Sequence, residues 1–153
     1  MGGGSLRVTF LGNHHWSVPA LEAVARSPHR VVGVLTRTPR PGRRGTGPRP
    51  TPVAEAARRL GLPLHEVGTV TTGPGLDALA ASEPDVLVVV AYGEILPPAI
   101  LAIPAIAPVN VHFSLLPALR GASPVQAALL DGREGTGVTV MLMDAGLDTG
   151  PVL

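Results

Sequence analysis

Two polar side chains with catalytic potential lie two positions apart in the segment Asn110-Val-His-Phe-Ser-Leu-Leu-Pro117. Side chains at positions i and i+2 of a β-strand share a face, so Asn110 and His112 are predicted to project together. An amide donor beside an imidazole suits the stabilisation of an oxyanion, and imidazole also transfers protons near neutral pH. The spacing alone is equally compatible with a structural role, in which Asn110 and His112 form hydrogen bonds with neighbouring backbone groups at the end of a strand.

A second candidate site follows an apolar run near the end of the sequence. The segment Met143-Asp-Ala-Gly-Leu-Asp-Thr-Gly150 carries two acids in a glycine-rich loop. Either acid could orient His112 or accept a proton. Aspartate beside glycine is also a common turn former, and taken alone the segment favours ordinary turns.

Basic residues are concentrated in one stretch that contains no acid. The chain has 12 basic residues, all of them arginine, against 11 acidic residues. Seven arginines lie between Glu22 and Glu55, and five of these fall in residues 37–49 among glycine and proline. This basic stretch predicts a loop that contacts phosphate or RNA, or else a solvated surface loop with no such contact. It contains no aromatic residue, so base stacking is not expected there.

The remaining composition excludes several kinds of site. The absence of cysteine excludes disulfides, thiolate nucleophiles and cysteine-ligated metals, and the absence of lysine excludes Schiff-base chemistry. The adjacent His14 and His15 have no carboxylate nearby, which is typical of surface residues, so no metal is predicted. No apolar run approaches the ~18 residues of a membrane span, and we expect a cytoplasmic monomer without membrane contact.

Strands and helices are predicted to alternate along residues 6–153, after a flexible leader over residues 1–5. Strands are expected over residues 6–12, 31–36, 62–67, 85–91, 108–113 and 137–143. Helices are expected over residues 20–26, 52–61, 76–82, 98–101 and 124–130, with Ser17, Thr51 and Ser123 as candidate N-caps. The alternation predicts an α/β fold with a doubly wound, Rossmann-like, mostly parallel sheet. In such sheets ligands bind beyond the carboxyl ends of the strands, where the candidate residues lie.

The joint pattern resembles the folate-dependent formyltransferases. The resemblance is carried by Asn110-Val-His112, Ser114-Leu-Leu-Pro117, Arg120-Gly121 and Leu147-Asp-Thr-Gly150. It implies that Asn110, His112 and Asp148 are catalytic. The folate contacts that it implies are Ser114, Leu115, Leu116, Pro117, Tyr92, Gly93, Ile95 and Leu96.

Finer motifs resemble the branch of that family that acts on methionyl-initiator-tRNA. They include Ser17-Val-Pro-Ala-Leu21, Val89-Val-Ala-Tyr-Gly93 and Arg120-Gly-Ala-Ser-Pro-Val-Gln126. The resemblance implies transfer of a formyl group from 10-formyltetrahydrofolate to the amine of methionyl-initiator-tRNA. It also implies that three arginines of the basic loop contact the tRNA, namely Arg40, Arg43 and Arg44.

The sequence departs from the family in its first loop. Asn13-His-His-Trp16 stands where the family usually has Thr-Pro-Asp-Phe, so the roles of His14 and His15 stay open. The resemblance also implies that the catalytic domain, residues 6–153, is incomplete at its C-terminal end, and that a C-terminal tRNA-binding β-barrel domain is absent. Two alternatives stay open: a formyltransferase acting on a nucleotide sugar or another small amine, and a folate-binding module without catalysis.

Overall fold

The computed structural model describes residues 4–39 and 47–153. Its strands are β1 (Arg7–Gly12), β2 (Arg30–Arg37), β3 (Leu64–Val67), β4 (Val86–Val90), β5 (Ala107–His112) and β6 (Thr139–Leu142). Its α-helices are α1 (Val18–Arg26), α2 (Pro52–Arg59), α3 (Gly73–Ala81), α4 (Pro98–Leu101) and α5 (Pro124–Leu130). A short 3-10 turn, His15–Ser17, leads into α1.

The six strands form one sheet in the order β3-β2-β1-β4-β5-β6. The first five strands are parallel, and β6 pairs with β5 in the antiparallel direction. The predicted Rossmann-like, mostly parallel sheet is therefore confirmed. The chain winds outward from β1 to β3 and then returns to β4 on the other side of β1. The loops after β1 and β4 meet at this switch point, where open α/β sheets bind their ligands.

Each face of the sheet is covered by its own apolar core. On one face, which we call the α1/α2 face, Phe10 and Val90 pack against Leu21 and Val53. The other, the α3/α4 face, buries residues one position along the same strands, including Leu11, Leu87 and Val89. This alternation follows from the period of two in a strand. It also explains why the buried strands are continuous apolar runs.

The predicted N-terminal ends of the helices are confirmed only in part. Thr51 caps α2 as predicted, because its hydroxyl accepts a hydrogen bond of 3.0 Å from the Ala54 amide. Ser17 and Ser123 occupy N-cap positions but make no side-chain cap bond. Helix α3 begins at Gly73, before the predicted start at residue 76. Proline is compatible with the first turn of a helix, so Gly73-Pro-Gly75 begins α3 although it reads as a break.

In the described ranges, no helix is both long and apolar enough to cross a membrane.

Candidate active site

Strand β5 presents Asn110 and His112 to the α3/α4 face at the carboxyl edge of the sheet. Val111, between them, packs into the core of the α1/α2 face, so its two neighbours point the opposite way. Asn110 lies beside Val89 of β4 and Met141 of β6 in the strand pairing. The prediction that Asn110 and His112 share a face agrees with this register.

His112 is held between two hydrogen-bond acceptors. Its Nε2 lies 3.0 Å from the Leu119 carbonyl oxygen, and its Nδ1 lies 3.6 Å from Oδ2 of Asp148. A neutral imidazole would point the lone pair of one ring nitrogen at an oxygen. Both ring nitrogens face oxygens, and His112 is buried, with 6% of its surface exposed.

Asp148 completes the cluster from the loop that follows β6. Its Oδ2 accepts a 2.8 Å hydrogen bond from the Gly121 amide, and its Oδ1 lies 3.5 Å from Nδ2 of Asn110. The backbone φ of Asp148 is +53°, a left-handed conformation that aspartate and asparagine adopt more readily than most residues. This turn directs the carboxylate back toward β5.

The two acids of this loop have different roles. Oδ1 of Asp144 accepts hydrogen bonds from the Gly146 amide at 2.9 Å and the Thr149 hydroxyl at 2.7 Å. Asp144 is therefore a turn former, and of these two acids Asp148 alone joins Asn110 and His112.

The cluster opens into a cavity of about 470 Å³ at the carboxyl edge of the sheet. One side is the loop after β4, residues 91–96, which we call the loop wall. A second part of the lining is formed by His14, Trp16 and Phe113, which we call the aromatic wall. The ring centroids of Trp16 and Phe113 are 5.6 Å apart, with the rings edge to face.

The two walls belong to different faces of the sheet. Tyr92 and Leu96 of the loop wall are buried in the core of the α3/α4 face. Phe113 of the aromatic wall packs against the core of the α1/α2 face. The cavity thus has lining residues from both faces of the sheet, and Asn110 and His112 are part of the same lining.

The family follows from comparison with known proteins. The family model described as formyl transferase matches residues 6–153. The chain belongs to this formyl transferase family. It is 47% identical over 147 residues to a methionyl-tRNA formyltransferase of Methylobacterium nodulans, and 50% identical over 149 residues to one of Roseiflexus sp.. These matches cover 96% and 97% of the chain but 47% and 46% of the relatives, so the chain spans about half of their length.

Solved structures share the fold. Glycinamide ribonucleotide transformylase 1 from Symbiobacterium toebii superposes with a TM-score of 0.77 at 25% identity, covering 99% of this chain and 72% of that one. A formyltetrahydrofolate deformylase from Pseudomonas syringae pv. tomato gives a TM-score of 0.74 at 21% identity, covering 98% and 50%. The second likeness concerns the fold alone.

The predicted folate contacts separate into two groups. Tyr92, Gly93, Ile95 and Leu96 line the cavity. Residues 114–117 lie outside its lining and form a turn instead. In that turn the Ser114 hydroxyl donates to the Ala118 carbonyl at 2.7 Å, and Leu115 is 60% exposed. A folate contact from this segment stays a prediction.

Several lining residues were not singled out from the sequence, among them Glu94, Trp16, Met141 and Met143. Trp16 could have been predicted from its position, because it lies in the loop after the carboxyl end of β1, and ligands of such sheets bind beyond the carboxyl ends of the strands. His14 also lines the cavity, and its pKa is lowered by partial burial and by the neighbouring His15. The lowered pKa favours the neutral form of His14.

The tRNA contacts predicted for Arg40, Arg43 and Arg44 lie outside the described residues. Among the residues that the structure does describe, no three His, Cys, Asp or Glu side chains are grouped to hold a metal ion.

Proposed function

We propose that residues 6–153 belong to the catalytic domain of a methionyl-tRNA formyltransferase. The domain would transfer the formyl group of 10-formyltetrahydrofolate to the amine of methionyl-initiator-tRNA. The proposal rests on one observation: Asn110, His112 and Asp148 lie together in one cavity at the carboxyl edge of the sheet. The names of relatives 47–50% identical over most of this chain support the choice of acceptor.

Asn110 is the group best placed to donate directly to the oxygen of the formyl group. A side-chain amide has two protons, and only one of those on Asn110 is directed at Asp148. The other is available to the cavity that Asn110 lines. Attack by the amine puts negative charge on the formyl oxygen, and a preorganised amide donor stabilises that charge.

His112 supplies positive charge beneath the same oxygen. Its two ring nitrogens face Leu119 O and Asp148, an arrangement that favours the imidazolium. In a buried site this charge acts on the developing oxyanion with little screening by water. A direct hydrogen bond from Nε2 to the oxyanion would require exchange of the Leu119 carbonyl for the substrate oxygen.

Asp148 is the proton acceptor of the proposed reaction. The new bond joins the amine nitrogen to the formyl carbon, and the bond from that carbon to the donor nitrogen breaks. The proton released by the amine is transferred through water to the Asp148 carboxylate and from there to the departing donor nitrogen. The Gly121 amide fixes the carboxylate for this role.

The two walls suit two different substrates. The cavity is of ordinary size for a small-molecule site, and the buried Leu96 and Val89 give it an apolar side for the flat ring of the folate. The aromatic wall lines the same cavity, and we propose that the acceptor contacts it. We also propose that Arg40, Arg43 and Arg44 bind the tRNA backbone, which would make acceptor binding dependent on salt.

Two variants test the catalytic assignment. Asn110→Ala removes one oxyanion donor and should lower kcat by about a hundredfold or more. Asp148→Asn keeps a residue that adopts positive φ and removes the negative charge, so a similar loss of kcat with an unchanged melting temperature is expected. Asp77→Asn, at an exposed position of α3, is the matched control. Near-normal turnover by either site variant would overturn the assignment.

The acceptor is tested separately. Formylation of methionyl-initiator-tRNA is compared with that of small amines, including nucleotide sugars and the glycinamide ribonucleotide named for a structural neighbour. Preference for a small amine would move the proposal to that acceptor. Binding of tetrahydrofolate without turnover of any acceptor would show a folate-binding module.

A further inference from the structure

The loop wall has a backbone that needs support. Ala91 and Gly93 both have positive φ, +46° and +79°. Glycine adopts this conformation freely, but alanine does so only when its surroundings hold it there. The loop therefore depends on anchors from other parts of the chain.

Two anchors hold the backbone of the loop wall directly. The Asn13 amide donates to the Tyr92 carbonyl, and the Arg37 guanidinium donates to the Gly93 carbonyl at 3.1 Å. Asn13 in turn accepts hydrogen bonds from the Arg37 amide at 2.8 Å and the Thr36 hydroxyl at 3.0 Å. The ends of β1, β2 and β4 are thereby joined at the switch point of the sheet.

Glu94 supplies the third anchor through its side chain. One carboxylate oxygen accepts from the Thr69 hydroxyl at 3.1 Å and from the Val70 amide at 3.3 Å. The other lies 3.6 Å from the Arg37 guanidinium, and the Glu94 side chain is only 14% exposed. Both oxygens thus face protein partners, so Glu94 acts on the cavity through the loop that carries it.

We propose that Glu94, paired with Arg37, is a positioning residue that fixes the loop wall for the folate donor. This inference rests on the proposed function, since it takes the loop wall as the donor side of the cavity. Without the pair, the loop would sample other conformations. The affinity for the donor would fall, because only a fraction of the molecules would have the loop conformation that binds it. Chemistry at Asn110 and acceptor binding at the aromatic wall would be left largely unchanged.

The test separates donor binding from chemistry. Glu94→Ala removes all three contacts and should raise the KM of the donor about tenfold, as expected for loss of charge-assisted hydrogen bonds. Glu94→Gln keeps an oxygen that can accept from Thr69 and Val70 but loses the charge pair, so its increase should be smaller. For both variants, kcat and the KM of the acceptor should stay within about twofold of the wild type.

Binding of tetrahydrofolate, measured by calorimetry, gives a readout independent of turnover. The control is Glu66→Gln, because Glu66 pairs with Arg58 away from the cavity. The Arg37→Gln, Glu94→Gln double variant should lose less affinity than the sum of the single losses, because both remove the same pair.

Three outcomes would overturn the inference. Glu94 variants could bind tetrahydrofolate as the wild type does, or the single losses could add fully. The variants could also lower kcat and weaken both substrates alike, which would indicate a structural role only. Failure of the wild-type protein to bind tetrahydrofolate would instead reject the proposed function, and the inference with it.

Discussion

The loop wall and the aromatic wall border the same cavity, yet they are built from different interactions. The loop wall is held by contacts with three other parts of the chain. Asn13 and Arg37 donate hydrogen bonds to its backbone, and its own Glu94 contacts Arg37 and Thr69. The aromatic wall is built from ring contacts, with His14 and Trp16 4.6 Å apart between centroids and Trp16 against Phe113. Polar contacts with distant segments hold the loop wall, whereas the side chains of the aromatic wall pack mainly against one another.

The difference matches what each wall would bind. A rigid ligand such as a folate ring gains affinity when its pocket is already formed, because the pocket then loses no freedom on binding. The charged and flexible end of a tRNA can instead be accommodated by rings, which offer large contact areas with few geometric demands. The contrast gives three further predictions.

Loss of the largest ring should have the largest effect. Trp16→Ala is expected to raise the KM of the acceptor about tenfold, the order expected for loss of one stacking ring. The KM of the folate donor should change little, because Trp16 lies on the other wall. Steady-state kinetics with each substrate varied in turn measure both values.

Trp16→Phe is the matched control for this prediction, because it keeps a ring in the wall and should restore most of the acceptor affinity. An increase in the donor KM equal to that of the acceptor would show that the walls do not act separately.

A smaller effect is expected at the base of the aromatic wall. The Ser17 hydroxyl is fully buried and donates to the Val90 carbonyl at 2.6 Å, which ties the turn before α1 to the end of β4. Ser17→Ala leaves that carbonyl unpaired and should lower the free energy of unfolding by about 1–2 kcal/mol. Chemical denaturation measures this loss.

Ser27→Ala is the comparison for Ser17→Ala. Its hydroxyl makes a bond of the same length to the Val24 carbonyl, but in a part-buried position where water can replace it. If Ser27→Ala lowers the free energy of unfolding as much as Ser17→Ala does, burial does not determine the size of the loss.

The smallest effect is expected for a hydroxyl in the loop wall. Tyr92 is buried, and its hydroxyl has no hydrogen-bond partner among the residues that the structure describes. Burial is the main cause that raises the pKa of Tyr92, and the nearby Glu94 adds to it. Tyr92→Phe removes an unpaired polar group, so the free energy of unfolding should stay the same or rise by up to about 1 kcal/mol.

The Tyr92→Phe prediction is checked by thermal and chemical denaturation at pH 7. A loss of more than about 1 kcal/mol would show that the hydroxyl makes a bond in solution that supports the loop.

Local patterns were enough to predict the sheet and part of the site. Continuous apolar runs mark the strands, and the spacing of Asn110 and His112 predicts their common face. The position of Asp148 beside them depends on β6 reversing direction and on the turn at Asp148 itself. The residues alone offer Asp144 and Asp148 equally as partners of His112, and only the family resemblance distinguishes Asp148.

The anchors of the loop wall had no local signal. Arg37 and Glu94 are 57 positions apart; the sequence groups Arg37 with the other arginines of residues 37–49, and nothing in it links Arg37 to Glu94. Ser17 was predicted as a cap because its type and position fit one, but a buried carbonyl of β4 takes its hydroxyl. In both cases a long-range contact determines the role, and local sequence does not encode such contacts.

The position of the cavity across the sheet edge has a kinetic consequence. Donor and acceptor would occupy different parts of one cavity, so neither has to leave before the other can bind. Both substrates would occupy the protein together before any product departs. Initial-rate plots at several fixed concentrations of one substrate should therefore intersect, whereas a shuttle of the formyl group through a covalent enzyme intermediate would give parallel lines.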